Sequence, residues 1–289
     1  MNIRQGIPRI EDKQRVVPSL ILGIIVAGLF MLKPHIIVAQ QLELLYTGLD
    51  NPTSLYVHQD VIYIVEQGKN RLLQLNKQGE LLETTGGQGR GDYQFDTPVD
   101  IHATNGLKVY VSDFRNHRVQ LFDRRGQFLG SLKAASGFNN ASYSPTQLVV
   151  NDLGEVYFLD QSSNTIKWYD LDGNYVDEFS VPAQIDQVDD IQLYEREFYL
   201  LDKRKEGIHV LNESGMYSHF IEAGQAGAFL KAGKTLILFY TDSILFDDGS
   251  PTPRQMALHT SERLIDSHLE NDTIYILGDK KLYKLAWDR

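Results

Sequence analysis

The chain of 289 residues contains no cysteine. That absence removes a disulfide framework, a thiolate metal site, a cysteine nucleophile and a lipidated N-terminal cysteine. Positive charge is also scarce, with 28 Lys and Arg against 38 Asp and Glu and a net charge of −10. Nucleic-acid affinity rests on neutralising phosphates with Lys and Arg, so this balance argues against nucleic acid as a partner. No Gly-x-Ser-x-Gly elbow, His-Glu-x-x-His pair or phosphate-cradling glycine loop occurs, so the familiar hydrolase and nucleotide signatures are missing. After residue 40 no segment of useful length carries a helical period.

What is present is a repeat. The segment VYVSDFRNHRVQLFDRRGQFL has counterparts in VIYIVEQGKNRLLQLNKQGELL, EVYFLDQSSNTIKWYDLDGNYV and EFYLLDKRKEGIHVLNESGMY. Equivalent acids Glu66, Asp113 and Asp160 fall 47 residues apart, and Asp202 follows 42 later. Two degenerate copies place their equivalents near Tyr240 and Gly278. Each copy alternates apolar and polar residues in runs of about 4–8, the pattern of half-buried strands, and a period of about 40–50 residues with several strands per unit signals a propeller blade. Asn76, Asp123, Asp170 and Asn212 each stand three residues before a glycine, which predicts tight turns between outer strands. Six anchors predict six blades. The last copy is one strand short, and LELLYTGL at 42–49 is an orphan strand, so the two are expected to pair and close the ring.

The second copy, with its lead-in GGQGRGDYQFDTP, Phe95, Pro98, VYVSD and Asn116-His117-Arg118, resembles an NHL repeat; copies one and three match moderately and copy four weakly. The resemblance spans roughly residues 48–217 and implies an all-β, six-bladed NHL-type propeller over 41–289. Such folds host sensors, binders of proteins and nucleic acids, lyases and hydrolases, so fold alone selects no activity.

Residues 1–40 are different material. Arg4, Arg9, Lys13 and Arg15 precede the uncharged stretch 16–32, then Lys33 and a small residue at Ala39. This order resembles a secretory signal peptide. The expectation is cleavage near Ala39, with retention as a membrane anchor through residues 16–32 as the alternative. Either way the propeller is exported, to the periplasm or the cell exterior.

Aligned inner strands give Ser54, Asp100, Gln147, Asp190, Ala228 and Asp266 at one level, and Tyr56, His102, Val149, Gln192, an open position and His268 two residues on. Residues i and i+2 share a side of a strand, so Asp-x-His, Asp-x-Gln and Asp-x-His of the even blades face the central channel. Two readings follow. Asp100, His102, Asp190, Asp266 and His268 are ligands for a divalent cation, or these side chains satisfy backbone groups and channel waters. The NHL-type lyase that completes peptide amidation is similar in holding zinc through histidines of alternate blades. Its metal histidine directly follows the aligned proline, however, where this chain has Thr53, Val99 and Thr146, and no catalytic residue carries over.

The loops between second and third strands carry Lys69, Arg71, Arg115, His117, Arg118, Lys203, Arg204, Lys205, Lys280 and Lys281. They predict a basic rim for an anionic partner; the competing reading pairs Arg71 and Arg118 with neighbouring carboxylates. Arg90-Gly91-Asp92 spells an adhesion tripeptide within a Gly-rich lead-in, and Asn140, Asn212 and Asn271 begin glycosylation acceptors. The stretch 241–256, with two prolines and adjacent acids, reads as a lengthened contact loop. The functional expectation is an exported, non-catalytic binding module for a protein, peptide or glycan partner. The alternative is a metal-dependent lyase or hydrolase acting in the channel.

Overall fold

Alternation of apolar residues along each copy produces strands that bury one set of side chains on each side, so every sheet needs a neighbour on both flanks. The computed structural model describes residues 42–103, 108–132 and 143–287; the leader and the Asn140 acceptor lie outside them. In chain order, an N-terminal strand β1 (Glu43–Thr47) is followed by β2 (Pro52–His58), β3 (Val61–Glu66), β4 (Arg71–Asn76) and β5 (Leu81–Gly86) of blade one. Blade two holds β6 (Pro98–His102), β7 (Lys108–Asp113), β8 (Arg118–Asp123) and β9 (Phe128–Ser131), and blade three β10 (Pro145–Val150), β11 (Val156–Asp160), β12 (Thr165–Tyr169) and β13 (Tyr175–Ser180). Blade four holds β14 (Asp190–Tyr194), β15 (Glu197–Asp202), β16 (Gly207–Asn212) and β17 (Tyr217–Glu222). Blade five holds β18 (Ala228–Ala232), β19 (Thr235–Phe239), β20 (Ser243–Asp247) and β21 (Arg254–Ala257), and blade six β22 (Leu264–Glu270), β23 (Thr273–Gly278) and β24 (Lys281–Ala286).

These form six four-stranded antiparallel sheets, and β1 supplies the fourth strand of the last. Glu43 pairs with Lys284, Tyr46 with Leu282 and Thr47 with Lys281, so the predicted closure is present. Among the described residues no helix is long and apolar enough to cross a membrane.

The core is divided among the blade junctions. Ile62, Ile64, Leu73 and Leu75 of blade one pack on Tyr275, Leu277 and Leu282 of blade six. From the same two strands Tyr63, Val65 and Leu72 pack the other way, on Ile101, Val109 and Val111 of blade two. The period-two alternation is therefore the mechanism of ring assembly: one residue of each pair belongs to each neighbour.

The anchor acids explain the repeat. Glu66, Asp113, Asp160 and Asp202 are buried at the ends of second strands. Each accepts a backbone N–H from its blade's lead-in, from Asp50, Asp96, Ser144 and Asp186, at 2.7–2.8 Å. The outer turns behave as predicted too. Asn76 Oδ1 accepts from Gln78 and Glu80 N–H, and Gly79 adopts φ +83°, a region glycine enters freely.

The 241–256 segment differs from its sequence reading. Half of it is the regular hairpin of β20 and β21, with Phe246 opposite Arg254, and residues 248–253 form the turn between them. Alternation in SILFD was strong enough to pair despite the two prolines, which sit in the turn.

Candidate functional site

The inner strands β2, β6, β10, β14, β18 and β22 surround the channel. Their register places Ser54, Asp190 and Asp266 opposite Val65, Leu201 and Leu277, confirming that these residues share one level. The position left open in blade five is Leu230, opposite Ile237.

At the first level the carboxylates join neighbouring blades. Asp100 accepts N–H bonds from Ile101 on its own strand at 2.8 Å and from Leu148 of blade three at 2.7 Å. Asp266 does the same with Ser267 at 2.7 Å and Leu55 of blade one at 2.7 Å. The Ser54 hydroxyl donates to Asp100 Oδ1 at 2.5 Å and also lies within reach of Asp266. Even blades thus supply carboxylates and odd blades amides, which accounts for the alternation seen in the sequence. Asp190 breaks the rule. Its Oδ1 accepts from Ile191 at 2.7 Å, but its Oδ2 is enclosed and has no partner. Gln192 makes the connection to blade five instead, donating to the Phe229 carbonyl at 2.6 Å and accepting from Lys231 N–H at 3.1 Å.

Desolvation dominates the electrostatics, because removal from water penalises charge. Burial, then the charge of Asp266, raises Asp100 to about 7. Asp266 is raised to about 6 by burial, and Asp190 is pushed well above the carboxylate range by burial and by both neighbours. At the second level the Tyr56 ring sits between the imidazoles of His102 and His268, with centroids 4.2 and 4.1 Å away. Burial holds His102 well below its usual range and lowers His268 to about 4. Both rings are neutral at pH 7.

The five predicted metal ligands all line one cavity. Among the described residues no three His, Asp or Glu side chains are disposed to hold a metal ion. The Asp100 and Asp266 oxygens point at backbone amides, and the imidazoles pack on Tyr56. Asp100 and Asp266 thus satisfy backbone groups, as the second of the two sequence readings expects, while Asp190 Oδ2 does not.

The cavity measures about 920 Å³. Its wall runs from the aspartate level past Tyr56 and Leu230 to Asp152, Tyr194, Gly233 and the 248–253 turn. Those last residues lie at the ends of first strands or in turns that follow first or third strands, so the mouth opens on the face opposite the predicted basic rim. No residue of the second-to-third loops lines it. Blade five shapes the mouth. Arg254 stacks its guanidinium 4.1 Å from the Phe246 ring, Trp287 meets Phe246 edge-on, and Lys231 lies 5.4 Å from the Tyr194 ring. Sequence reasoning missed these five side chains. The available signal was the loss of repeat spacing in blade five.

On the opposite face the rim is largely neutralised from within. Lys69 and Arg71 both pair with Glu66, Arg118 with Asp113 at 3.0 Å, Lys205 with Asp186 at 3.0 Å and Lys281 with Glu262 at 3.1 Å. Arg118 also donates to the carbonyls of Arg90, Gly91 and Gln94, so it pins the Arg90-Gly91-Asp92 backbone. His117 Nδ1 lies 3.0 Å from the Tyr143 carbonyl. Arg115, Lys203 and Arg204 are exposed, and Lys203 N–H donates to Asp189.

No family model matches the chain. Over 87 residues it is 36% identical to the human NHL repeat-containing protein 3, covering 28% of this chain and 25% of that protein. Over 105 residues it is 27% identical to the mouse E3 ubiquitin-protein ligase TRIM32, covering 33% and 16%. The chain thus spans a quarter or less of the length of these curated relatives. Among solved structures, a catalytically inactive virginiamycin B lyase from Staphylococcus aureus, determined with quinupristin, superposes with a TM-score of 0.65 at 13% identity, over 86% of this chain and 99% of that one. A gluconolactonase from Xanthomonas campestris gives 0.63 at 13%, over 86% and 90%. At such identity these neighbours share the fold alone.

Proposed function

We propose that this six-bladed NHL-type propeller is a non-catalytic binding module, exported from the cytoplasm, that engages a protein or peptide partner through the face bearing the cavity mouth. The observation that carries the reading is the use of the channel's polar groups. Two carboxylates are committed to backbone amides, both imidazoles are neutral and tilted against Tyr56, and the mouth is walled by Phe246 and Arg254 of the irregular blade five together with Trp287, which follows the last strand of blade six. Aromatic and Arg side chains are the groups that anchor protein interfaces. Exposed Leu153, Leu171 and Met216 lie in turns on the same face and extend it with apolar surface.

The test is crosslinking and pull-down from an envelope extract, with the wild-type chain beside R254E and a triple K203E/R204E/K205E variant on the opposite face. Capture of a specific partner that R254E abolishes and the triple variant retains supports the reading. Loss in the triple variant alone would move the interface to the basic rim. Elemental analysis of the purified protein addresses the alternative, since stoichiometric tightly held metal would favour a lyase or hydrolase.

A further inference from the structure

In blades one to three the acid at the end of the second strand is paired with a side chain that stays charged throughout the physiological pH range. Arg71 serves Glu66, Arg118 serves Asp113 at 3.0 Å and Lys167 serves Asp160 at 3.6 Å. Blade four has a histidine instead. Register puts Gly207 where blades one and two have Arg71 and Arg118. A Cβ on Gly207 would stand 2.0 Å from the Phe220 ring and 2.7 Å from the Ile221 carbonyl oxygen, so that position has no room for an arginine. Two residues on, where blade three has Lys167, stands His209, with Nε2 3.7 Å from Asp202 Oδ2. We propose that this exchange makes blade four the acid-sensitive blade of the ring, in which protonation of His209 draws Asp202 from the backbone it fastens and loosens segments 186–187 and 203–206.

The geometry supplies both halves of such a switch. Asp202 is fully buried, and its two oxygens are shared out. Oδ1 accepts the Arg204 and Lys205 N–H groups at 3.0 and 3.1 Å, and Oδ2 those of Asp186 and Gln187 at 2.7 and 3.3 Å. One side chain therefore holds the blade's lead-in and its basic turn together. His209 is 3% exposed, and its Nε2 has no hydrogen-bond partner although it faces Oδ2. At that separation a neutral ring makes no hydrogen bond. A protonated ring is pulled towards the carboxylate to make a charge-assisted bond, and it competes first with Gln187, the more weakly held of the two donors on Oδ2.

The other surroundings do not welcome the charge. Burial, the largest influence, lowers the pKa of His209; Asp202 and Asp186 oppose that, and Lys205 adds to it. Lys205 and Asp186 are themselves paired at 3.0 Å, so their effects largely offset. From β17 the ring meets the Tyr217 hydroxyl, 3.4 Å from Nδ1, and the Phe220 ring, 4.9 Å away between centroids. In blade three the corresponding lysine has a second acid, Glu178, opposite it on the outer strand; blade four has Phe220 there. The folded pKa is thus depressed below that of the unfolded chain, which binds the proton more tightly. Stability in this blade is lost as pH falls through the ordinary histidine range.

Amide hydrogen exchange followed by NMR between pH 7.5 and 5, corrected for intrinsic rates, tests this with blade three as an internal control. Protection of Asp186, Gln187, Arg204 and Lys205 is expected to fall about tenfold further than that of Ser144 and Ser162, whose N–H groups Asp160 holds. The fall should track the titration of His209, read from its ring proton signals in the wild-type protein, and H209Q should abolish it. An equal fall in blades three and four would show a global effect of acid and overturn the switch. Exchange in H209Q that follows the wild-type pH course, or a His209 ring that does not titrate over the range in which protection is lost, would overturn it too.

Discussion

At the residue scale, the acids that mark the repeat are structural fasteners. Asp113 is fully buried and receives the Asp96 N–H at 2.8 Å, the Asn116 amide at 2.8 Å and the Arg118 guanidinium at 3.0 Å. Burial raises its pKa, and these three partners offset part of that. Removing it takes an acceptor from four donors, the Gln120 amide among them and one of them charged, and truncating one partner of a buried pair costs more than the pair contributes. Asp113→Ala is expected to lose about 3–5 kcal/mol, read by urea unfolding. Arg115→Ala, at an exposed position in the same loop, should stay within about 0.5 kcal/mol. Equal effects would remove Asp113 from this role. The same physics explains why part of the positive rim legible in the sequence is neutralised while Arg115, Lys203 and Arg204 remain exposed. A sequence shows Arg71 and Arg118 at regular positions, and only the packed loop shows that Glu66 and Asp113 lie beneath them.

At the element scale, the blades differ in how much of them the sequence displayed. Blades one to four carry the anchor acid and the outer glycine turn, and their strands fall where the alternation predicts. The fifth has Phe239 and Tyr240 in place of the acid, yet Leu236, Leu238, Ile237 and Phe239 still divide between the two flanking cores. Alternation survives the loss of the motif because neighbours on both sides demand it. The channel levels were legible for the same reason, since a period of two fixes which residues look inward. Their partners were not, because Leu55 and Leu148 act through backbone N–H groups that every residue type has. The junction between blades five and six offers a direct test. A Cβ on Gly227 would stand 2.2 Å from the Leu264 carbonyl oxygen, a backbone atom that cannot swing aside. Gly227→Ala should therefore force the two blades apart and cost about 1–3 kcal/mol, as overpacking does. An unchanged melting temperature would mean that the junction is looser than described.

At the scale of the whole molecule, ring closure ties the chain's first described strand to its last, and the channel then sets a pH dependence. Six inner strands converge, so Asp100, Asp190 and Asp266 are enclosed together and titrate as one group. Their folded pKa values lie above those of the unfolded chain, about 7 for Asp100 and about 6 for Asp266. The folded state consequently holds more protons than the unfolded state between roughly pH 4 and 7, and stability falls as pH rises through that range. His102 and His268 act in the opposite sense. Their folded values are depressed, so the unfolded state binds more protons below the ordinary histidine value of 6.5, and stability falls as pH drops beneath it. The two contributions oppose one another between pH 4 and 6.5. Above that the unfolded histidines lose their remaining protons within about one pH unit, so the carboxyls increasingly dominate. Between pH 6.5 and 8 the melting temperature should therefore decline, with a slope of up to about 1.4 kcal/mol per pH unit for each proton the folded state retains. D190N removes one titrating member and relieves the repulsion on the other two, so its decline should be shallower, while H268Q removes an opposing histidine contribution and should steepen the decline between pH 6.5 and 7.5 but leave it unaltered near pH 8. A wild-type melting temperature that is flat or rising from pH 6.5 to 8, measured at constant ionic strength, would show that the three carboxyls ionise as freely in the ring as in the open chain.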